Sequence, residues 1–534
     1  MLRSHGIAEQ GIAGRDDDGL GLDHGHARTL AALPYGHVVA AKLGPGALVW
    51  AGFDGAEVPG ALLDAIADGR IGGLVLFAYR GNIRSKAQVR AMLADAADAA
   101  RRGGLPPVPV AVDQEGGPVV RVGYRAVFPS AMAVAATGDP AYAEHAARAV
   151  AEGLIADGFT VNHAPVCDVN SEPTNPVIGA RSFGDDPERV AAFAAAWVRG
   201  SEGAGVATSP KHFPGHGAAT EDSHLTIPVV NDSLVTLRNR DLVPFRAAID
   251  AGASMVMPAH VRYPALDAQD IATLSRPILV DLLRGELGFK GLCITDSLDM
   301  SGFLDVDEMV RTFGRAIDAG IDAVMVTTGQ ELQLVAAAAI ATGVSRARLS
   351  EAIGRASVVR ERFGSHGPRE DIDDGPGGAL ASDIAARSIT HVGPPLPRIE
   401  GRVRVTVMPF PVRTIAEELP MPPDDLETAL RKRFGDRLSF EREGRVPTGD
   451  GPLVVCTTSA WHSPEQAKLA RALLADGGVL CALRSPYDAS LFPDRPALLT
   501  YGDVPVSIDA LAAVLAGERS APGRCPIRLP LRPT

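Results

Sequence analysis

Lys211-His212-Phe213-Pro214-Gly215-His216-Gly217, followed closely by Glu221-Asp222-Ser223-His224, sets three imidazoles, an ammonium and two carboxylates on one Gly/Pro-shaped segment. Phe213 and Pro214 stiffen the backbone, while Gly215 and Gly217 permit turns that a side chain would forbid. A loop that only joined two elements needs no such density of titratable groups, so the segment reads as a catalytic loop able to give and take protons near neutral pH. A further carboxylate, Asp296, ends the apolar run Leu292-Cys293-Ile294-Thr295 and enters the turn Ser297-Leu298-Asp299-Met300. An aspartate there can cap a helix. It can equally attack a sugar carbon while a second group protonates the leaving oxygen, the minimal kit for glycosyl transfer. His212, His216, Asp222 and His224 are all of metal-ligating type, but the His212/His216 pair is interrupted by Pro and Gly and so does not share a helix face. No Gly-Lys-Ser/Thr is present to make a phosphate-binding loop.

The elements that must position these residues follow from one phrase repeated between about residue 45 and 330: a short apolar run, a polar end, a helical pattern, a glycine. Eight such runs occur: Ala47 to Gly52, Gly73 to Ala78, Val108 to Asp113, Thr160 to Asp168, Val206 to His212, Met255 to His260, Leu292 to Asp296 and Ala323 to Thr327. Uninterrupted apolar runs separated by helices are the mark of parallel strands covered on the outside, and eight of them predict a (β/α)₈ TIM-like barrel. Asp139-Pro140, Asp186-Pro187 and Ser275 with Pro277 supply helix starts, and Gly158, Gly205, Gly252 and Gly320 supply stops. Val89, Met92, Leu93 and Ala96 share one helix face and read as core. Barrel chemistry collects at the strand ends, which here deliver Asp113, Glu115, His163, Asp168, Lys211, His212, His260 and Asp296. A single mouth lined by all of them avoids the cost of burying each one separately.

The whole chain reads as a disordered N-terminal tail over 1–35, the catalytic barrel over 36–364, a Gly/Pro/Asp-rich linker with a short helix over 365–400, and a smaller α/β sandwich domain over 401–534. In that last domain Val403 to Met408, Leu453 to Cys456, Val479 to Leu483 and Ala497 to Thr500 are predicted strands, with helices at Pro464 to Ala475 and Ile508 to Ala516. A net charge of -12 with no long basic run argues against nucleic acid and anionic membranes as partners. A small neutral or polar ligand fits better. Five scattered cysteines suggest neither a disulfide framework nor a zinc knot, and no run of about 18 apolar residues spans a bilayer, so a cytoplasmic monomer or homodimer is expected.

Taken together the motifs resemble the family 3 glycoside hydrolases, in their β-N-acetylglucosaminidase branch. Lys211 to Gly217 with Asp222-Ser223-His224 looks like that branch's catalytic loop, and Ile294 to Met300 like its nucleophile motif. Asp113-Gln114-Glu115-Gly116-Gly117 with Arg121 looks like its sugar-binding strand, and Ile178 to Gly184 like a further loop. The resemblance implies Asp296 as nucleophile and His224, coupled to Asp222, as general acid/base. It implies that Asp113, Arg121, Arg181, Lys211 and His212 hold the terminal N-acetylglucosamine, with no metal or cofactor. Pro118 departs from the basic residue often found there, which bears on contacts beyond the first sugar. His216 is expected to shape the loop, His163 and His260 to be satisfied wall residues, and Glu115 to pair with an arginine. The expected activity is retaining exo-β-N-acetylglucosaminidase action on short glycosides or cell-wall fragments. Phosphorolysis with inorganic phosphate, dual action on β-glucosides, and a sugar-binding protein without catalysis are the alternatives.

Overall fold

The computed structural model describes residues 43–223, 226–298, 306–409 and 423–530. All eight apolar runs form strands that pair in parallel. They are β1 (Val49–Ala51), β2 (Gly73–Val75), β3 (Val110–Val112), then, past the small hairpin β4 (Gln114–Gly116) and β5 (Val119–Val120), β6 (Val161–Asn162), β7 (Ala207–Thr208) with β8 (Lys211–Phe213), β9 (Met255–Pro258), β10 (Leu292–Ser297) and β11 (Ala323–Val326). Their order is β7-β6-β3-β2-β1-β11-β10-β9-β8.

The two ends of that order are halves of one run. Pro210 lacks an N–H for a ladder and separates β7 from β8. Ala207 pairs with Val161 of β6, Lys211 pairs with Met257 of β9, and Lys211 also bridges to Val166 beyond β6. The fifth run therefore closes the sheet into a barrel. Helices cover it as the punctuation predicts: Ser85 accepts from the Gln88 N–H at the start of the helix Lys86–Arg102, whose Val89, Met92, Leu93 and Ala96 are buried. Gly158 ends the helix Ala141–Asp157 at φ 102°, a conformation that costs glycine little.

The stretch read as a linker carries the helix Gly375–Ser388 and the strand β12 (Thr390–Val392). Beyond it come β13 (Val403–Val407), β14 (Leu438–Glu441), β15 (Leu453–Thr457), β16 (Val479–Ala482) and β17 (Ala497–Leu499), in the order β12-β17-β16-β15-β13-β14. Alternation divides this sheet. Val454 and Cys456 join a core with Leu430 and Leu511, whereas Leu453 and Val455 join another with Met132 and Ala133 of the barrel. One sheet face thus packs against the barrel helix Ala131–Ala136, and Ser130 Oγ donates to Tyr501 O at 2.6 Å. Asn170 Nδ2 donates to the Tyr487 hydroxyl at 2.7 Å, which ties a loop of the barrel mouth to the second sheet. Among the described residues no helix is long and apolar enough to cross a membrane.

Candidate active site

Four charges, three of them buried and Asp113 partly so, meet where β3, the β4–β5 hairpin and β8 end. Lys211 Nζ lies 2.6 Å from Asp113 Oδ1 and 2.7 Å from Glu115 Oε1, and the Arg181 fork grips the Glu115 carboxylate through Nε and Nη2, both at 2.9 Å. Two cations cancel two anions, which is what makes their joint burial tolerable. Burial by itself would drive Asp113 and Glu115 toward the neutral form. Lys211, His163 and Arg121 together outweigh it for Asp113, and Arg181 with Lys211 for Glu115, so both carboxyls stay below their ordinary values. Lys211 is raised because Asp113 and Glu115 outweigh its desolvation. Near neutral pH the site therefore presents an ionised Asp113 that accepts from hydroxyls and an ammonium that donates to them.

The hairpin is fixed from beneath. The Gln114 side-chain oxygen accepts from the Arg121 and Val122 N–H groups at 2.9 and 3.0 Å, and the Asn162 amide clasps the Gln114 backbone from both sides. Arg121 is buried and close enough to help hold the Asp113 carboxyl down. The expectation that Glu115 pairs with an arginine names the right type, and the partner is Arg181. Because Nε and Nη2 of Arg181 are engaged by Glu115, its first effect is to anchor that carboxylate at the barrel mouth.

A third carboxylate organises the loop that begins at β8. Asp168 is fully buried and accepts from the His216 N–H at 2.6 Å, from the His212 N–H, and from His212 Nδ1 at 2.7 Å. Burial pushes Asp168 up, but His212 prevails and holds it below the usual carboxylate range. With Nδ1 committed to Asp168, Nε2 is the His212 nitrogen that can meet a ligand. Asp168 was legible as a strand-end residue, yet its role was not, since its partners lie 44 and 48 residues away. The loop glycines are needed sterically: a Cβ on Gly217 would stand 1.8 Å from Val169 O. Gly217→Ala is expected to displace this loop, to lower stability by about 1–3 kcal/mol through overpacking, and to cut turnover sharply. Thermal unfolding and steady-state kinetics on one preparation check this, and unimpaired turnover would mean that the loop position is not required.

Asp296 lies in β10 on the other side of the mouth, with the Ser297 N–H donating to its Oδ1 at 2.7 Å. The ring of His163 feels Asp113, Lys211 and Asp296 together, so the barrel gathers these groups around one space. His260 is the satisfied wall residue expected, bonded through Nδ1 to Thr273 Oγ1 at 2.7 Å and through Nε2 to Ser297 O at 3.4 Å. His163 corrects the parallel expectation: neither ring nitrogen has a hydrogen-bond partner among the described residues. His216 shapes the loop through its backbone, while its buried ring nitrogens are likewise unbonded there. Asp222 is half-buried on the loop that leads away from β8, and its carbonyl accepts from the Thr226 N–H at 3.0 Å. His224 lies outside the described residues.

Beside Arg181 the mouth opens into a cleft between barrel and second sheet, lined by Pro118, Ile178 and Arg181 on one side and His462, Arg484 and Tyr487 on the other. A parallel barrel whose strand ends hold separated carboxylates, cations and imidazoles, with a cleft alongside, has the groups that glycosyl chemistry needs. Comparison with known proteins identifies its lineage. Residues 51–360 match the profile described as the glycosyl hydrolase family 3 N terminal domain. Beta-hexosaminidase of Xylella fastidiosa (strain M12) is 37% identical over 315 residues, covering 58% of this chain and 91% of that protein. Beta-hexosaminidase A of Pseudoalteromonas piscicida is 38% identical over 287 residues, covering 49% of this chain and 48%, about half, of that relative. The solved structure of a glycoside hydrolase family 3 beta-N-acetylglucosaminidase from Paenibacillus sp. str. FPU-7 superposes with a TM-score of 0.84 at 32% identity, covering 91% of this chain and 98% of the other. The chain belongs to glycosyl hydrolase family 3, on the branch whose named members here are β-hexosaminidases.

Proposed function

We propose that the chain is a retaining exo-β-N-acetylglucosaminidase that removes terminal N-acetylglucosamine from short β-linked glycosides or cell-wall fragments in the cytoplasm. The observation that carries this reading is the charge-balanced cluster of Asp113, Glu115, Lys211 and Arg181 at the barrel mouth, whose Asp113 and Lys211 act on the same His163 ring as the Asp296 carboxylate. In the first step an Asp296 oxygen bonds to the anomeric carbon as the glycosidic C–O bond breaks, and His224 gives its proton to the departing oxygen. In the second step water attacks that carbon, His224 takes the water's proton, and the bond to Asp296 breaks. Two displacements return the original β configuration. A His of ordinary pKa about 6.5 suits both proton transfers near neutral pH, with Asp222 orienting its ring. Asp113, Lys211, Arg121 and His212 bind the glycon, and the cleft beyond Arg181, walled by the second sheet, receives the aglycone.

The test is product analysis on an aryl β-N-acetylglucosaminide with and without inorganic phosphate. Free N-acetylglucosamine, released at a rate independent of phosphate, is the expected result. N-acetylglucosamine 1-phosphate would replace hydrolysis by phosphorolysis, and no release of sugar would leave a binding protein. Comparing aryl β-glucosides in the same assay reads the dependence on the acetamido group. A His224→Ala variant is expected to lose about 10²- to 10⁴-fold on substrates with poor leaving groups and much less on nitrophenyl-type ones, which need no proton. A loss equal for both kinds of leaving group would remove His224 from the acid role.

A further inference from the structure

His163 follows β6 at the rim of the barrel interior, its side chain fully buried and its N–H donating to Val112 O at 2.9 Å. Its ring lies 6.4 Å from that of Trp50. Against so apolar a neighbour a phenylalanine or leucine would serve as wall, because a buried imidazole that bonds nothing is costly. Both ring nitrogens nevertheless lack a partner among the described residues. The same mouth shows how a wall imidazole is satisfied, since His260 has Thr273 on one nitrogen and a carbonyl on the other. The unpaired His216 differs in its surroundings, as its ring sits 5.8 Å from that of His212 beside Asp168 within the loop. The charges that reach His163 are those of Asp113, Lys211 and Asp296, the groups on either side of the proposed reaction centre.

We propose that His163 is a glycon-binding residue whose uncharged ring hydrogen-bonds a hydroxyl of the terminal sugar between Asp113 and Asp296. The proposal rests on the glycosidase reading and adds to it a recognition residue. Burial holds the ring's pKa down to about 4, with Lys211 adding to the effect, so at neutral pH one nitrogen donates and the other accepts. A hydroxyl matches such a partner. It can accept from the imidazole while giving its own proton to the Asp113 carboxylate, satisfying both. An inorganic anion fits poorly, because a neutral ring offsets none of its charge and two carboxylates stand beside it.

The test pairs His163→Phe, which keeps a ring and removes both nitrogens, with aryl β-N-acetylglucosaminides lacking the 3-, 4- or 6-hydroxyl in turn. For the parent glycoside the variant is expected to lose about 10- to 100-fold in kcat/KM, the worth of a hydrogen bond in a closed site. For one deoxy glycoside wild type and variant should become equal, because the hydroxyl that His163 meets is gone. The unfolding midpoint without ligand should not fall, since a buried unpaired group has been replaced by an apolar one. An equal loss for the parent and every deoxy glycoside, or an unchanged parent rate, would overturn the proposal. Should the variant fail to fold, the wild-type protein decides: saturation with N-acetylglucosamine must move the ¹⁵N resonances of the His163 ring, and unmoved resonances would overturn it. That titration also separates the two readings, because a wild type that binds the sugar but releases none from aryl glycosides refutes hydrolysis and leaves His163 to be judged by its own signal.

Discussion

Asp296→Ala will lose on the order of 10⁴-fold or more in kcat on an aryl β-N-acetylglucosaminide, the largest effect expected of any single substitution in this chain. The carboxylate stands at the end of β10 with Oδ1 fixed by the Ser297 N–H, so its position is set by the strand and does not depend on substrate. On the proposed mechanism no covalent intermediate forms without it, and water must displace the leaving group in one unassisted step. Asp296→Asn distinguishes chemistry from structure, since the amide oxygen still accepts from the Ser297 N–H but the charge and nucleophilicity are gone. A residue serving only to end the strand would tolerate that change, and near-normal turnover by Asp296→Asn would remove Asp296 from the nucleophile role. The alanine variant leaves room for a small anion. Azide can then attack the anomeric carbon directly as the aryloxide departs, giving the glycosyl azide of inverted configuration. Partial rescue by azide, with that product, is the expected signature.

How much of this was legible in the sequence depends on the range of the interaction concerned. Each barrel strand appeared as an apolar run because a strand buried on both faces needs no partner to reveal itself. The fifth run reads as one strand, and its break at Pro210 rests on a single local signal, a residue without an N–H. In the second sheet the four apolar strands were readable. The edge strand β14, only partly buried after Leu438, and the charged helix Pro423–Phe434 escaped because neither carries a sustained apolar pattern. Short β12 went unseen inside a Gly/Pro-rich stretch; its pairing with β17 joins residues about a hundred positions apart.

The site divides along the same line. Lys211, His212, Asp113 and Asp296 announce themselves by lying at the ends of apolar runs. Arg181 gave no such signal, since it comes from a short turn, Gly179–Arg181, and reaches Glu115 only through the folded chain. Asp168 looked like one more strand-end carboxylate, and only the structure reveals that two histidine backbone amides and a ring converge on it. The difference between His163 and His260 was equally invisible. Both lie at the ends of apolar runs, and what separates them is that Thr273 bonds the His260 ring whereas neither nitrogen of the His163 ring has a hydrogen-bond partner among the described residues.

Lys211→Met is expected to damage stability and activity together, in a manner that depends on pH. The ammonium is almost wholly buried, with 3% of its side chain exposed, and lies within 2.7 Å of two carboxylates. Methionine fills the space and removes the charge. Glu115 keeps its Arg181 fork, but Asp113 loses the nearest cation, and breaking one partner out of such a buried set costs about 3–5 kcal/mol. In the wild type Asp113 and Glu115 titrate below their ordinary values, so their contribution to stability is complete above about pH 4 and is lost as pH falls through the lower folded values. In the variant Lys211 no longer offsets burial, the largest influence on Asp113, and with only His163 and Arg121 left to oppose it the Asp113 pKa is expected to rise. A carboxyl whose folded pKa is raised stabilises while it holds its proton and ceases to do so as pH climbs through that value. The stability difference between wild type and variant must therefore be smaller near about pH 5 and larger near about pH 8. Urea unfolding at both values measures it, and kcat/KM should fall by about 10²-fold or more where Asp113 is forced to bind sugar without its neighbour. A difference that does not change with pH would mean that Arg121 alone neutralises Asp113, and the charge-balanced cluster would then have to be redrawn around that arginine.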